Sequence, residues 1–334
     1  MSATPSRSRE IGSLRLDPTH AIPARTSTGA VPSPSLWRGI ARLSDPKISL
    51  ASMASISLGA AAAARDGWLH WEWLAITVLG IFAIEVAKNA SGEIVDFGTG
   101  VDQSVAPEDR SPFSGGKRVL VDGLLTHGQT VAVAVVAYAI GIGVGLAISA
   151  ESHPGVLWLG LAGIWLAYFY HAPPIRLSYR GLGELAVAAA YGPLIACGTY
   201  LVQRREWSEA VFLASLPLGF LIATFLWICE FPDLRADRAA GKKTLVVTLG
   251  PNAASRVYLV LALTAYGAIA LLPAVGLPRS VWLGLAGIPF SLWAAARLVQ
   301  SPEITGRVIP AQAATLIAFL VAAAGMSVGL LWNR

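Results

Sequence analysis

The chain has 334 residues, 54% of them hydrophobic and only 13% charged, against about a quarter charged in ordinary soluble proteins. Its mean hydropathy of +0.59 excludes the soluble globular class and points to a polytopic membrane protein. The net charge of +5 needs no nucleic-acid partner, because the placement of charge across a bilayer accounts for it.

Residues 1–45 are rich in Ser, Pro, Thr and Arg and lack the apolar core of a signal peptide, so they read as a disordered cytoplasmic tail ahead of a transmembrane domain over 46–334. Apolar runs near the roughly 20 residues needed to cross a bilayer follow at 48–64, 73–95, 129–149, 155–171, 184–202, 210–229, 255–274, 280–298 and 310–331. The expected fold is therefore all-α, with about nine transmembrane helices, the fourth and fifth short. With the N-terminus cytoplasmic, the inner connections hold Arg110, Lys117, Arg118, Arg176, Arg180, Arg235, Arg238, Lys242 and Lys243, whereas the outer side keeps few cations, such as Arg65, Arg204 and Arg205. That bias sets the orientation and puts the two long charged connections, 97–127 and 231–253, at one cytoplasmic mouth of an integral inner-membrane protein.

The second span runs into N-A-S-G-E-I-V-D-F-G-T-G-V-D. At about 3.6 residues per turn, Glu85, Asn89, Glu93 and Asp96 share one stripe and are expected to face one cavity. Asp102 follows in a glycine-bearing loop. Carboxylates at membrane depth cost about 2.5–3.5 kcal/mol each on insertion scales, so a cluster implies water or a charged occupant. Magnesium suits such oxygen ligands, being held by one or two carboxylates and the phosphates of a substrate. The alternative is a wet helix end in which Lys88 neutralises an acid.

Between spans four and five the chain reads Y-F-Y-H-A-P-P-I-R-L-S-Y-R-G-L-G-E-L. Arg176 and Arg180 offer guanidinium forks for phosphate oxygens. Tyr168, Tyr170 and Tyr179 offer hydroxyls, or π faces for a developing cation, or else an interfacial aromatic belt. His171 reads as a packing residue. The sixth span ends C-E-F-P-D-L-R-A-D-R-A-A-G-K-K-T-L, where Glu230, Asp233 and Asp237 share a second face and Pro232 is expected to kink or break the helix. Two facing acidic stripes can bracket two cations, with Lys117 and Lys242 close by for a diphosphate. Cys197 and Cys229 have no metal or disulfide spacing and read as packing residues.

The two acidic motifs, the nine spans, S-P-F-S-G-G-K-R-V-L-V-D-G-L-L, L-S-Y-R-G-L-G-E-L and D-x-x-x-D-R-A-A-G-K-K-T-L together resemble the UbiA superfamily of intramembrane prenyltransferases, especially its MenA-like branch, over about residues 38–331. In that family the first motif is usually N-D-x-x-D; here Gly92-Glu93 replaces Asn-Asp, and Glu230 replaces Asn or Asp in the second. The resemblance implies a helical bundle around a central cavity, with Mg2+ held by Glu93, Asp96, Asp102, Glu230, Asp233 and Asp237. A prenyl diphosphate would be bound by Asn89, Lys117, Arg176, Arg180 and Lys242, its tail in a hydrophobic tunnel. Asp96, Asp233, Arg176 and Tyr170 would carry catalysis, and the prenyl group would pass to an aromatic, quinone-precursor-like acceptor. The same fold also serves membrane terpene cyclases, and intramembrane acids with broken helices also suit an ion-coupled transporter; a degenerate scaffold is the remaining alternative.

Overall fold

The computed structural model describes residues 35–332. Among these there is no strand, only an isolated bridge between Ser111 and Ser114. In chain order the helices are α1 (Leu36–Ser44), α2 (Pro46–Asp66), α3 (Trp71–Thr99), α4 (Val101–Ser104), α5 (His127–Glu151), α6 (Gly155–Phe169), α7 (Gly183–Ala189), α8 (Ile195–Arg204), α9 (Glu209–Ala239), α10 (Leu245–Leu249), α11 (Pro251–Leu271), α12 (Ile288–Gln300) and α13 (Thr305–Trp332). A π-helical turn at Ala190–Leu194, with Pro193 inside it, joins α7 to α8, and a 3-10 stretch at Arg279–Gly287 leads into α12. The N-terminal tail expectation falls largely outside the described residues; its last part, Leu36–Ser44, is helix α1.

Among the described residues eight helical segments are long and apolar enough to span a membrane, and α6, at 15 residues, is a shorter apolar helix. At 1.5 Å per residue α6 reaches only about 22 Å. Helices α3 and α9 run in the same direction, and both finish at the charged mouth.

Helix α9 lies at the centre, packed by α2, α7, α11 and α13. Pro217 and Pro232 both sit inside it. Of the kink or break expected at Pro232, the break does not occur: the helix continues to Ala239. Proline removes one main-chain donor and leaves the carbonyl four residues earlier without its partner. That carbonyl, on Ile228, accepts from Nε2 of Gln312 on α13 at 3.4 Å. Inside a membrane a freed carbonyl has to find a protein donor, and here a neighbouring helix supplies it. Gln312 is 0% exposed, and its Oε1 accepts from the Ser111 hydroxyl at 2.6 Å. The proline gap, the last helix and the 110–118 loop are thus joined through one side chain.

Candidate active site

The last three turns of α3, helix α4, the 110–118 loop, the segment after α6 and the end of α9 enclose an acidic cavity of about 510 Å3. Glu93, Asp96, Asp102, Glu230, Asp233 and Asp237 all line it. So do Asn89, Lys117, Tyr170 and Lys242. Arg176 and Arg180 do not. Arg176 lies over the ring of Tyr179 with its guanidinium carbon 5.3 Å from the centroid, and Arg180 is exposed and donates to the Pro174 carbonyl at 2.9 Å. The guanidinium roles expected for this pair are met in position by amines, Lys117 and Lys242, with Arg110 and Arg118 also on the wall.

The stripe on α3 divides between two chambers. Asn89, Glu93 and Asp96 reach the acidic cavity, whereas Glu85 lines an adjoining apolar cavity of about 360 Å3 between α3, α5, α6 and the α7–α8 segment. Two side chains one turn apart share a face but differ by about 6 Å in depth, enough here to place them in different chambers. Glu85 accepts from the hydroxyls of Ser52 at 2.7 Å, Tyr191 at 3.1 Å and Ser49 at 3.3 Å. Asn89 is also engaged, its Nδ2 donating to the Leu43 carbonyl of α1 at 2.7 Å. One N–H of its amide thereby ties α1 to α3.

Asp96 is held from two sides. Tyr179 donates to its Oδ1 at 2.8 Å, and Nε2 of His171 lies 3.5 Å from its Oδ2. Ligand carboxylates and imidazoles are commonly fixed in this way by a surrounding layer of donors. The motif departure at position 92 has a direct spatial cause. A Cβ on Gly92 would lie 2.7 Å from both Cε1 and Nδ1 of His171, so the imidazole fills the space that an asparagine would use.

The other carboxylates are less fully satisfied. Glu93 Oε1 accepts from Leu120 N at 2.8 Å, while Oε2 is buried without a hydrogen bond. Asp102 is 2% exposed and its Oδ2 is likewise unpartnered; burial, then the nearby Asp96 and Glu93, pushes its carboxyl up to about 8. Gly116, at φ +73°, takes a backbone conformation that suits glycine, and a Cβ there would run into the Asp102 carboxylate. Lys242 Nζ is 3.3 Å from Asp237 Oδ1. Burial alone would lower that ammonium, but Asp237, Asp96 and Asp233 hold it well above the ordinary value. Lys117 is ion-paired with Asp45.

Among the described residues no three His, Cys, Asp or Glu side chains converge on a single ready-made metal site. The donor set still fits magnesium: it is all oxygen, it contains buried carboxylate oxygens without partners, and magnesium takes only one or two carboxylates when phosphates complete its shell. Glu93, Asp96 and Asp102 on one wall and Asp233 and Asp237 on the other would hold it.

Tyr170 and Lys88 line both the acidic and the apolar cavities. Lys88 was expected only as a neutralising charge; its ammonium sits 4.9 Å over the Tyr170 centroid and makes no ion pair within 4.0 Å. The signal that marks it is a lysine in the middle of an apolar run. The contacts of Tyr179 and His171 with Asp96 had no such signal, since they join residues more than 70 positions apart. Cys197 and Cys229 are both buried free thiols, Cys229 on the wall of the acidic cavity.

The profile of the UbiA prenyltransferase family matches residues 52–307. The chain belongs to the UbiA prenyltransferase family. Among its UbiA relatives, the 2-carboxy-1,4-naphthoquinone phytyltransferase of Synechocystis sp. is 28% identical over 280 residues, covering 82% of this chain and 85% of that one. The 1,4-dihydroxy-2-naphthoate octaprenyltransferase of Escherichia coli is 27% identical over 243 residues, covering 71% and 76%. Among solved structures, digeranylgeranylglyceryl phosphate synthase superposes with a TM-score of 0.62 at 13% identity over 89% of this chain and 99% of that one. A UbiA homolog from Archaeoglobus fulgidus bound to GPP and Mg2+ gives 0.58 at 15% identity over 86% and 99%. The UbiA fold and the prenyltransferase class of this integral membrane enzyme are thereby settled.

Proposed function

We propose that the enzyme transfers a prenyl group from a prenyl diphosphate to a hydroxylated aromatic acceptor of the naphthoate type, in a magnesium-dependent reaction that releases diphosphate. The observation that carries this reading is the pairing of chambers. A cavity walled by seven carboxylates and four lysines adjoins an apolar one, with Tyr170 and Lys88 on the shared wall. A charged head and a hydrocarbon tail need that division. The relatives named for naphthoate substrates supply the acceptor class, and the homolog bound to GPP and Mg2+ supplies the donor class.

Magnesium, when bound, would neutralise charge on the departing diphosphate as a Lewis acid. Lys117 and Lys242 add positive charge at the same wall, and Tyr179 and His171 keep the Asp96 carboxylate aimed into the cavity. The allylic C–O bond breaks and its electron pair leaves with the diphosphate. The ring carbon of the acceptor supplies the electrons of the new C–C bond, and loss of a proton or of carbon dioxide from that carbon restores aromaticity. The face of Tyr170 stabilises the allylic cation, while the apolar wall keeps water from it. The excess of Arg and Lys at the acidic mouth orients that mouth, and the N-terminus, to the cytoplasm.

The test is diphosphate release by the purified protein in detergent from geranyl, farnesyl and geranylgeranyl diphosphates, with and without hydroxynaphthoates, before and after chelation. Acceptor-dependent, chelator-sensitive release with a prenylated product is expected. Acceptor-independent release giving a hydrocarbon or alcohol would replace this reading with a terpene cyclase or synthase.

A further inference from the structure

We propose that Lys88 anchors the carboxylate of the acceptor and so selects aromatic acids over neutral phenols; the inference rests on the naphthoate-type reading above and assigns the residue that enforces it. Four lysines line the acidic cavity: Lys47, Lys88, Lys117 and Lys242. Lys47 and Lys117 are paired with Asp45, and Lys242 with Asp237. Lys88 alone among these four has no carboxylate within 4.0 Å among the described residues. The nearest acid along its helix, Glu85, already accepts three hydroxyl hydrogen bonds, from Ser49, Ser52 and Tyr191. A cation at membrane depth without an anion is costly, and the residues that carry one usually meet a charged ligand.

Position decides which ligand. Lys88 precedes Asp96 by two turns of α3, about 12 Å along the helix axis, and helical side chains lean toward the N-terminus, further from Asp96. A diphosphate bracketed by the two carboxylate stripes lies toward the mouth. The ammonium instead stands at the junction with the apolar chamber, 4.9 Å over the Tyr170 ring. A flat ring placed against Tyr170 would present its carboxylate to this ammonium and its reacting carbon to the allylic end of the donor. A neutral ring fills the same space and leaves the lysine unpaired.

Equilibrium binding to the full-length protein in detergent tests this without any turnover. The probes are 1-hydroxy-2-naphthoate, 1-naphthol and inorganic diphosphate, titrated against wild type, Lys88→Met and Lys88→Arg, with folding verified by gel filtration and thermal unfolding. Loss of one charge-assisted contact predicts about 10- to 100-fold weaker naphthoate binding in Lys88→Met. Lys88→Arg should bind naphthoate within a few-fold of wild type, and 1-naphthol and diphosphate should change by less than about twofold in both variants. The inference is overturned if naphthoate and naphthol weaken together, if diphosphate is the probe that weakens, or if wild type shows no preference for naphthoate. Misfolding of both variants would leave wild type's naphthoate-over-naphthol preference, or its absence, as the deciding result. A failure of prenyl transfer itself would appear in the diphosphate-release assay and leave these titrations unaffected.

Discussion

Restoring the usual family residue at position 92 should damage this enzyme. In Gly92→Asn the new Cβ starts 2.7 Å from two atoms of the His171 ring, so the imidazole must retreat by about 0.7 Å to reach ordinary contact, before the amide is accommodated. The ring cannot move alone. It is packed edge-on against Tyr170 with centroids 4.7 Å apart, and its Nε2 faces Asp96. Overpacking of this kind costs about 1–3 kcal/mol, and displacement of the ring removes one of the two contacts that orient Asp96. The measurement is a double-mutant cycle: unfolding midpoints and diphosphate-release rates for wild type, Gly92→Asn, His171→Ala and the double variant. The single Gly92→Asn should lose stability and most activity, and removal of the imidazole should return a large part of both, with a coupling of about 0.5–3 kcal/mol. A Gly92→Asn protein with wild-type stability and rate, or a double variant no better than the sum of the singles, would refute the idea that His171 occupies the space of the missing asparagine.

Asp96→Asn and Asp233→Asn, each read by diphosphate release, should abolish turnover while leaving the unfolding midpoint near wild type; full activity in either purified variant would remove that residue from the catalytic set. Tyr179→Phe deletes the hydroxyl that donates to Asp96 Oδ1 at 2.8 Å and should raise the magnesium concentration for half-maximal rate by about tenfold, with the maximal rate less affected. Gln312→Leu leaves the buried Ile228 carbonyl without its donor and takes the acceptor from the half-buried Ser111 hydroxyl, and should cost about 1–3 kcal/mol, seen as a lower unfolding midpoint.

The helical class and the approximate number of spans were legible because a bilayer demands long apolar runs whatever the tertiary contacts. Both carboxylate stripes were legible for a similar reason: an acid at helical spacing inside an apolar run has no ordinary structural use. Arg176 and Arg180 misled because their position in the chain is close to the mouth, yet whether a side chain reaches a cavity depends on backbone direction. Arg176 adopts φ +49° and turns its guanidinium onto Tyr179. The stripe on α3 misled in depth, since periodicity reports a face and says nothing of which chamber lies beside each turn. Pro232 was read from local sterics as a kink or a break, and the Gln312 that lets the helix run on lies 80 positions away. The glycine at 92 looked like a loss from the motif, and only the position of His171 shows that the space is filled from another segment.

The tie through Gln312 also bears on how the enzyme comes into being. Segment 109–114 is held to the start of α13 three times, by Thr305 donating to Asp109 at 3.0 Å, by Ser111 donating to Gln312 at 2.6 Å and by Gln312 donating to the Ser114 hydroxyl at 3.5 Å. Helix α13 leaves the ribosome long after the loop it holds. Until it inserts, the carbonyl freed by Pro232 has no donor from this helix and segment 109–114 lacks these ties to it. Order of synthesis therefore leaves this side of the charged mouth without its ties to α13 until that helix inserts.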